Sequence, residues 1–221
     1  MLRLIFNRKI AMLFLLVFGA LMLAACEDEV QTITLGEGDW DSNQFHDQIV
    51  KFILENGYDY EVDVVVADTA LMVTSLRAGD LDASVEVWSD NIPEYDDYIA
   101  DGDFEEVAMN FADNEQGLYI PRYFAEEYPE LESVQDLLDP DIIDPTIFEN
   151  QDNPDLGLIY GGPEGWSATQ FLKDKMEEYG LDEYYEFKPI DSNATLSATL
   201  VSAYEEEEPW LGYNWEPTWI M

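Results

Sequence analysis

The chain has 221 residues, 49 of them Asp or Glu against nine Lys or Arg, for a formal net charge of −40. A field of that sign repels nucleic acid and anionic lipid headgroups, so neither is an expected partner. With 47% hydrophobic and 14% aromatic residues the chain can bury a core, which argues against disorder; the scattered acids read as a solvated surface suited to salt rather than as a metal store.

Arg3, Arg8 and Lys9 precede an apolar run from Ile10 to Leu23, short for a membrane span and of the length of a signal-peptide core. The run closes on Leu23-Ala24-Ala25-Cys26, the pattern of a lipobox, in which small residues admit the peptidase and the cysteine becomes a lipid-bearing N-terminus. Residues 1–25 are therefore expected to be a lipoprotein signal peptide and 26–31 a tether. The mature protein would be exported and held by its acyl chains on the extracytoplasmic face of the membrane. Cys26 is the chain's single cysteine, so no thiol is left for disulfide, metal or nucleophilic chemistry.

Beyond the tether, strands and helices alternate. "TITLGE" (32–37) reads as a strand, and Phe45, Ile49, Phe52 and Ile53 recur at helical spacing before Asn56-Gly57. "YEVDVVVA" (60–67) is β-branched, Asp68 or Thr69 caps a helix to Arg77, and "LDASVEVW" (81–88) alternates as a strand does. The style repeats after Gly117, through "LGLIYGG", a helix from Ser167 to Tyr179, "YYEFKPI", a further helix and "PWLGYNW". This predicts an α/β protein of two lobes with mostly parallel sheets, the first over 32–118 and the second over 119–221. Gly117 to Phe124 is the expected crossing between them.

Three tryptophans stand where such a fold places ligands, outside the carboxyl ends of the strands. Trp88 ends the third strand, Trp215 ends the last, and Trp166 sits in "YGGPEGWSATQ" at the mouth of a helix. Indole faces attract a diffuse cation without hydrogen-bond donors, at roughly 2 kcal/mol or more each when desolvated. The backbone N–H groups of Trp166, Ser167 and Ala168 would bind an anionic group. One motif could thus hold both ends of a small zwitterion. Trp40 is either a fourth wall or a cap on the first helix. Trp210 and Trp219 read as packing residues. His46 reads as a surface residue without a partner. Asp41, Glu86, Glu164 and Glu216 lie beside the box and face solvent by base rate. "ENQDNPDLG" (149–157) lacks the spacing of a calcium loop and is taken as a polar loop. No cofactor and no metal site is expected.

The ordered set "VEVWSDNIPEY", "GGPEGWSATQ" and "YNWEPTW" resembles the substrate-binding proteins of glycine betaine/proline betaine ABC transporters, along essentially all of the mature chain. The resemblance implies a type II periplasmic-binding-protein fold and a betaine cage of Trp88, Trp166 and Trp215. It also implies carboxylate contacts at Ser167 and Ala168, an ABC permease as partner, and no catalysis. In two respects the chain departs from the pattern. Ile92 stands where some members carry a histidine donor, and the chain stops at Met221, where members usually continue and return to complete the first lobe. That end reads as a C-terminal truncation. The competing reading is a secreted carbohydrate-active enzyme or sugar-binding lipoprotein, with Glu86 and Glu216 as an acid pair near aromatic platforms. A scaffold or adhesin would have no ligand cleft at all.

Overall fold

The computed structural model describes residues 30–112 and 114–221; Cys26 and the expected signal peptide lie outside the described residues. The first sheet has the order β2-β1-β3, all parallel, from β1 (Thr32–Glu37), β2 (Glu61–Val66) and β3 (Ala83–Ser84). Helices α1 (Asp41–Gly57) and α2 (Thr69–Ala78) connect these strands, and α3 (Tyr95–Asp101) follows them. The second sheet has the order β4-β7-β5-β6, from β4 (Glu115–Tyr119), β5 (Gly157–Tyr160), β6 (Tyr185–Lys188) and β7 (Gly212–Glu216). In it β5 runs parallel to both β6 and β7, while β4 is antiparallel to β7. Its helices are α4 (Arg122–Glu127), α5 (Ser167–Tyr179) and α6 (Asn193–Glu206). This is the mixed, mostly parallel α/β architecture that the alternation predicts. Residues 117–124 hold the end of β4, paired to β7, and the start of α4.

Local chemistry accounts for the helix ends. Asp68 Oδ1 accepts from Leu71 N–H at 2.9 Å to start α2, and Gly79 at φ +75° stops it in the left-handed region. Ser192 starts α6 in the same way, by accepting from Thr195 N–H.

Two elements differ from expectation in ways that matter for the site. The strand expected over 81–88 pairs only at Ala83 and Ser84, against Leu35 and Gly36 of β1. β1 ends one residue later at Glu37, so the ladder has no further partner, and Val85 to Trp88 run on past the carboxyl edge of the sheet. In α1, the apolar stripe of Phe45, Ile49, Phe52 and Ile53 is exposed, and the face turned inward carries Asn43 and Asp47, both fully buried. Asn43 Oδ1 accepts the N–H of Gly38 in the loop after β1, so the helix is seated on that loop by polar contacts.

The second sheet is covered by a continuous core of Phe124, Leu137, Ile143, Phe148, Ile159, Met176, Leu181, Tyr185 and Leu211. A separate cluster draws from both sheets, with Trp40 from the first packed on Trp166, Tyr213 and Trp215 of the second.

Candidate functional site

Each sheet has a central strand whose neighbours lie on opposite sides: β1 between β2 and β3, and β5 between β6 and β7. Loops leaving the carboxyl ends at such a switch point diverge and open a crevice. Trp40 follows β1, Trp88 follows β3, Trp166 follows β5, and Trp215 is near the end of β7. All four line one recess, together with Thr69, Asn91, Ser167, Ala168 and Tyr213, enclosing about 390 Å³ of empty space with its open mouth included. The six residues expected at the site from the sequence are thus brought to one place. Tyr213, Thr69 and Asn91 were missed. Tyr213 was available in principle, because it precedes Trp215 by two residues on a strand and so shares its face. Thr69 and Asn91 carry no local signal.

The rings meet nearly at right angles. Trp166 lies 5.7 Å from Trp40 at 78° and 5.3 Å from Trp215 at 79°, while Tyr213 and Trp215 stack at 5.7 Å and 24°. Trp166 thus meets both Trp40 and Trp215 edge to face, the arrangement that the ring quadrupoles favour.

Behind the rings, the indole N–H groups are fastened to carboxylates. Glu86 is 3% exposed, and its Oε1 accepts from Trp40 Nε1 at 2.7 Å, Trp88 Nε1 at 3.0 Å and Ser42 Oγ at 2.9 Å. Its Oε2 lies 3.1 Å from His46 Nδ1. Glu86 is therefore not solvent-facing, and His46 is not a partnerless surface residue. Asp39, one residue before Trp40, accepts from Trp166 Nε1 at 2.7 Å and links the two sheets. Asn91 and Gln116 exchange amide hydrogen bonds at 2.9 and 3.1 Å, and Tyr213 O–H donates to Gln116 Oε1 at 3.0 Å. Burial pushes the Tyr213 phenol well above its usual range, so it stays a donor.

At the mouth of α5, the N–H of Trp166 is not free: it donates to Pro163 O at 3.0 Å. The amides of Ser167 and Ala168 meet no acceptor among the described residues, as befits the first turn of a helix. Of the other acids named from the sequence, Glu164 pairs with Lys173 at the surface, and Asp41 and Glu216 are exposed. Trp210 packs as expected, stacked on Tyr160 at 5.9 Å, whereas Trp219 is 66% exposed. Among the described residues, no group of acids, histidines or cysteines has the arrangement to hold a metal ion, and no helix is long and apolar enough to cross a membrane.

Two sheets joined across an aromatic recess at their switch points define a binding protein of the periplasmic type. The chain belongs to the family of substrate binding domains of ABC-type glycine betaine transport systems, whose model matches residues 31–221. Solved structures agree on the fold. A glycine betaine/L-proline-binding protein (ProX) from Borrelia burgdorferi matches at TM-score 0.71 and 21% identity, over 86% of this chain and 64% of that one. Lactococcal OpuAC, complexed with glycine betaine, matches at 0.66 and 18% identity over 86% and 66%. An ABC-transporter choline binding protein in complex with choline matches at 0.69 and 21% identity over 84% and 60%. The chain thus spans slightly less than two thirds of the length of these relatives. The family is one of solute-binding domains and not of enzymes.

Proposed function

We propose that this protein captures glycine betaine or a related quaternary amine in the recess and delivers it to an ABC permease, from the extracytoplasmic face of a membrane to which Cys26 anchors it. The observation that carries the reading is the convergence of Trp40, Trp88, Trp166, Tyr213 and Trp215 on one corner beside the α5 mouth. The methylated ammonium would sit against the rings. Three or more desolvated cation–π contacts at roughly 2 kcal/mol each would supply most of the roughly 8 kcal/mol behind a micromolar dissociation constant. The carboxylate would accept from Ser167 and Ala168, and charge-assisted hydrogen bonds of that kind favour betaine over choline, which offers only a hydroxyl.

The polar groups around the recess speak against a sugar. The indole N–H groups of Trp40, Trp88 and Trp166 are spent on carboxylates and the Asn91 amide on Gln116, which leaves few free donors for a ring of hydroxyls. Glu86 is buried behind two indoles and Glu216 points to solvent, which is not the facing pair that glycoside hydrolysis uses. Isothermal titration of the full chain with glycine betaine, choline and a panel of glycans tests the reading. Heat with the amines alone is expected. Heat with glycans, or with none of these compounds, would refute it.

A further inference from the structure

We infer that Glu86 is a positioning residue for this recess: its buried carboxylate sets the indole planes of Trp40 and Trp88 before any ligand arrives. The inference rests on the proposed quaternary-amine site and deepens it by naming what holds two of its walls.

The geometry follows from the chain. β1 and β3 are adjacent parallel strands, so the loops leaving their carboxyl ends emerge side by side. Trp40 comes from one, Glu86 and Trp88 from the other. A single oxygen, Glu86 Oε1, receives both indole N–H groups, at 2.7 and 3.0 Å, and the Ser42 hydroxyl at 2.9 Å. An indole nitrogen only donates, so a ring turned over about its χ2 bond would point the N–H away from this acceptor. Two rings tied to one atom are fixed relative to each other as well as to the sheet. The carboxylate itself tolerates burial because these three donors converge on its Oε1, while His46 Nδ1 lies 3.1 Å from its Oε2. Without it, two N–H groups would be left in a dry site, and each ring would gain by turning toward water. Trp88 is the wall with least other support. It is only partly buried, and its one ring contact among the described residues is an edge-on approach to Phe111 at 6.0 Å.

The test separates this inference from the function it rests on. In the full chain labelled with ¹⁵N, the six tryptophans give indole N–H signals, with Trp40 and Trp88 assigned by Trp40→Phe and Trp88→Phe. Glu86→Ala is expected to move those two signals and remove their exchange protection, while Trp166 and Trp210, bonded to Asp39 and Thr199, keep theirs. Binding of glycine betaine should weaken about tenfold or more, since leaving an N–H unpaired exceeds the 1.4 kcal/mol that a factor of ten represents. Glu86→Gln keeps an acceptor oxygen in the same place and should restore both signals. Should Glu86→Ala fail to fold, Glu86→Asp, which draws the acceptor back by one methylene, is expected to disturb the same two signals selectively. Unchanged Trp40 and Trp88 signals in the folded alanine or aspartate variant overturn the inference. So does a loss in Glu86→Gln equal to that in Glu86→Ala. If the parent chain binds no quaternary amine, the functional reading falls, while the indole signals still judge Glu86.

Discussion

Asp47 offers the sharpest quantitative test of the first lobe. It sits on the inner face of α1 with no exposed surface, and neither carboxyl oxygen has a hydrogen-bond partner among the described residues. Desolvation first, then the charges of Glu37 and Glu86, push its pKa from the usual 3.8 up to about 7. The sign follows by linkage. Well below pH 3.8 the group is protonated in both states and adds no pH-dependent cost. As pH rises toward 7 the unfolded chain gives up this proton while the folded one keeps it, so stability is lost through that window. Above 7 the fold carries a buried charge among two other acids. At about 1.4 kcal/mol per pH unit, the full loss is on the order of 4–5 kcal/mol. Asp47→Asn removes the titration while keeping the shape. Its advantage over the parent should be near zero at pH 4 and grow to a few kcal/mol by pH 8, read as the difference in urea unfolding free energy at each pH. Taking the difference cancels the surface carboxylates, such as Asp136 and Asp144, whose hydrogen bonds hold their pKa values below the usual range. A variant no more stable than the parent at pH 8, or an advantage independent of pH, would show that Asp47 is hydrated or paired in solution.

Alanine in place of Trp88, Trp166 or Trp215 should each weaken glycine betaine binding by roughly 2 kcal/mol, and phenylalanine by less because a smaller face remains; equal affinity in a folded triple alanine variant would remove the cage. Gly165→Ala places a Cβ 2.5 Å from Asp68 Cβ and 2.8 Å from its Cγ, across the gap between the two sheets. It should lower affinity by about 1–3 kcal/mol of overpacking, with partial recovery on adding Asp68→Gly; titration of the single and double variants checks this, and an unaffected single variant would mean the sheets do not approach here when ligand is held. Cys26→Ser should move the exported protein from the membrane to the soluble fraction, and unchanged retention in fractionated cells would sink the lipid anchor.

Much of the architecture was open to reading because its causes are local. Asp68, Ser192, Gly79 and Gly180 act through their own backbone neighbours, so α2, α5 and α6 could be placed from the sequence. The three tryptophans at strand ends and a helix mouth were likewise visible, since the carboxyl-end rule needs only the order of elements. Periodicity marked two elements whose extent or buried face it does not give. The alternation of Leu81, Ala83, Val85 and Val87 predicts a strand to Trp88, but alternation holds only while a strand is paired, and pairing stops at Ser84. Past that point Glu86 folds inward to the indoles. The apolar stripe of α1 marks a helix correctly, yet the inner face carries Asn43, which satisfies the buried N–H of Gly38, and one turn on Asp47, which satisfies none among the described residues.

The sequence by itself thus determined the α/β class, the ends of α2 and α5 and the tryptophans that line the recess, all of which depend on neighbours within a few positions along the chain. Only the tertiary structure decided what stands behind those aromatics. The sharing of one Glu86 oxygen by Trp40 and Trp88, and the hold of Asp39 on Trp166, join residues 46, two and 127 positions apart. No propensity or period encodes such contacts. They exist because adjacent parallel strands release their loops at the same edge, and because a buried N–H must find whatever acceptor that edge provides.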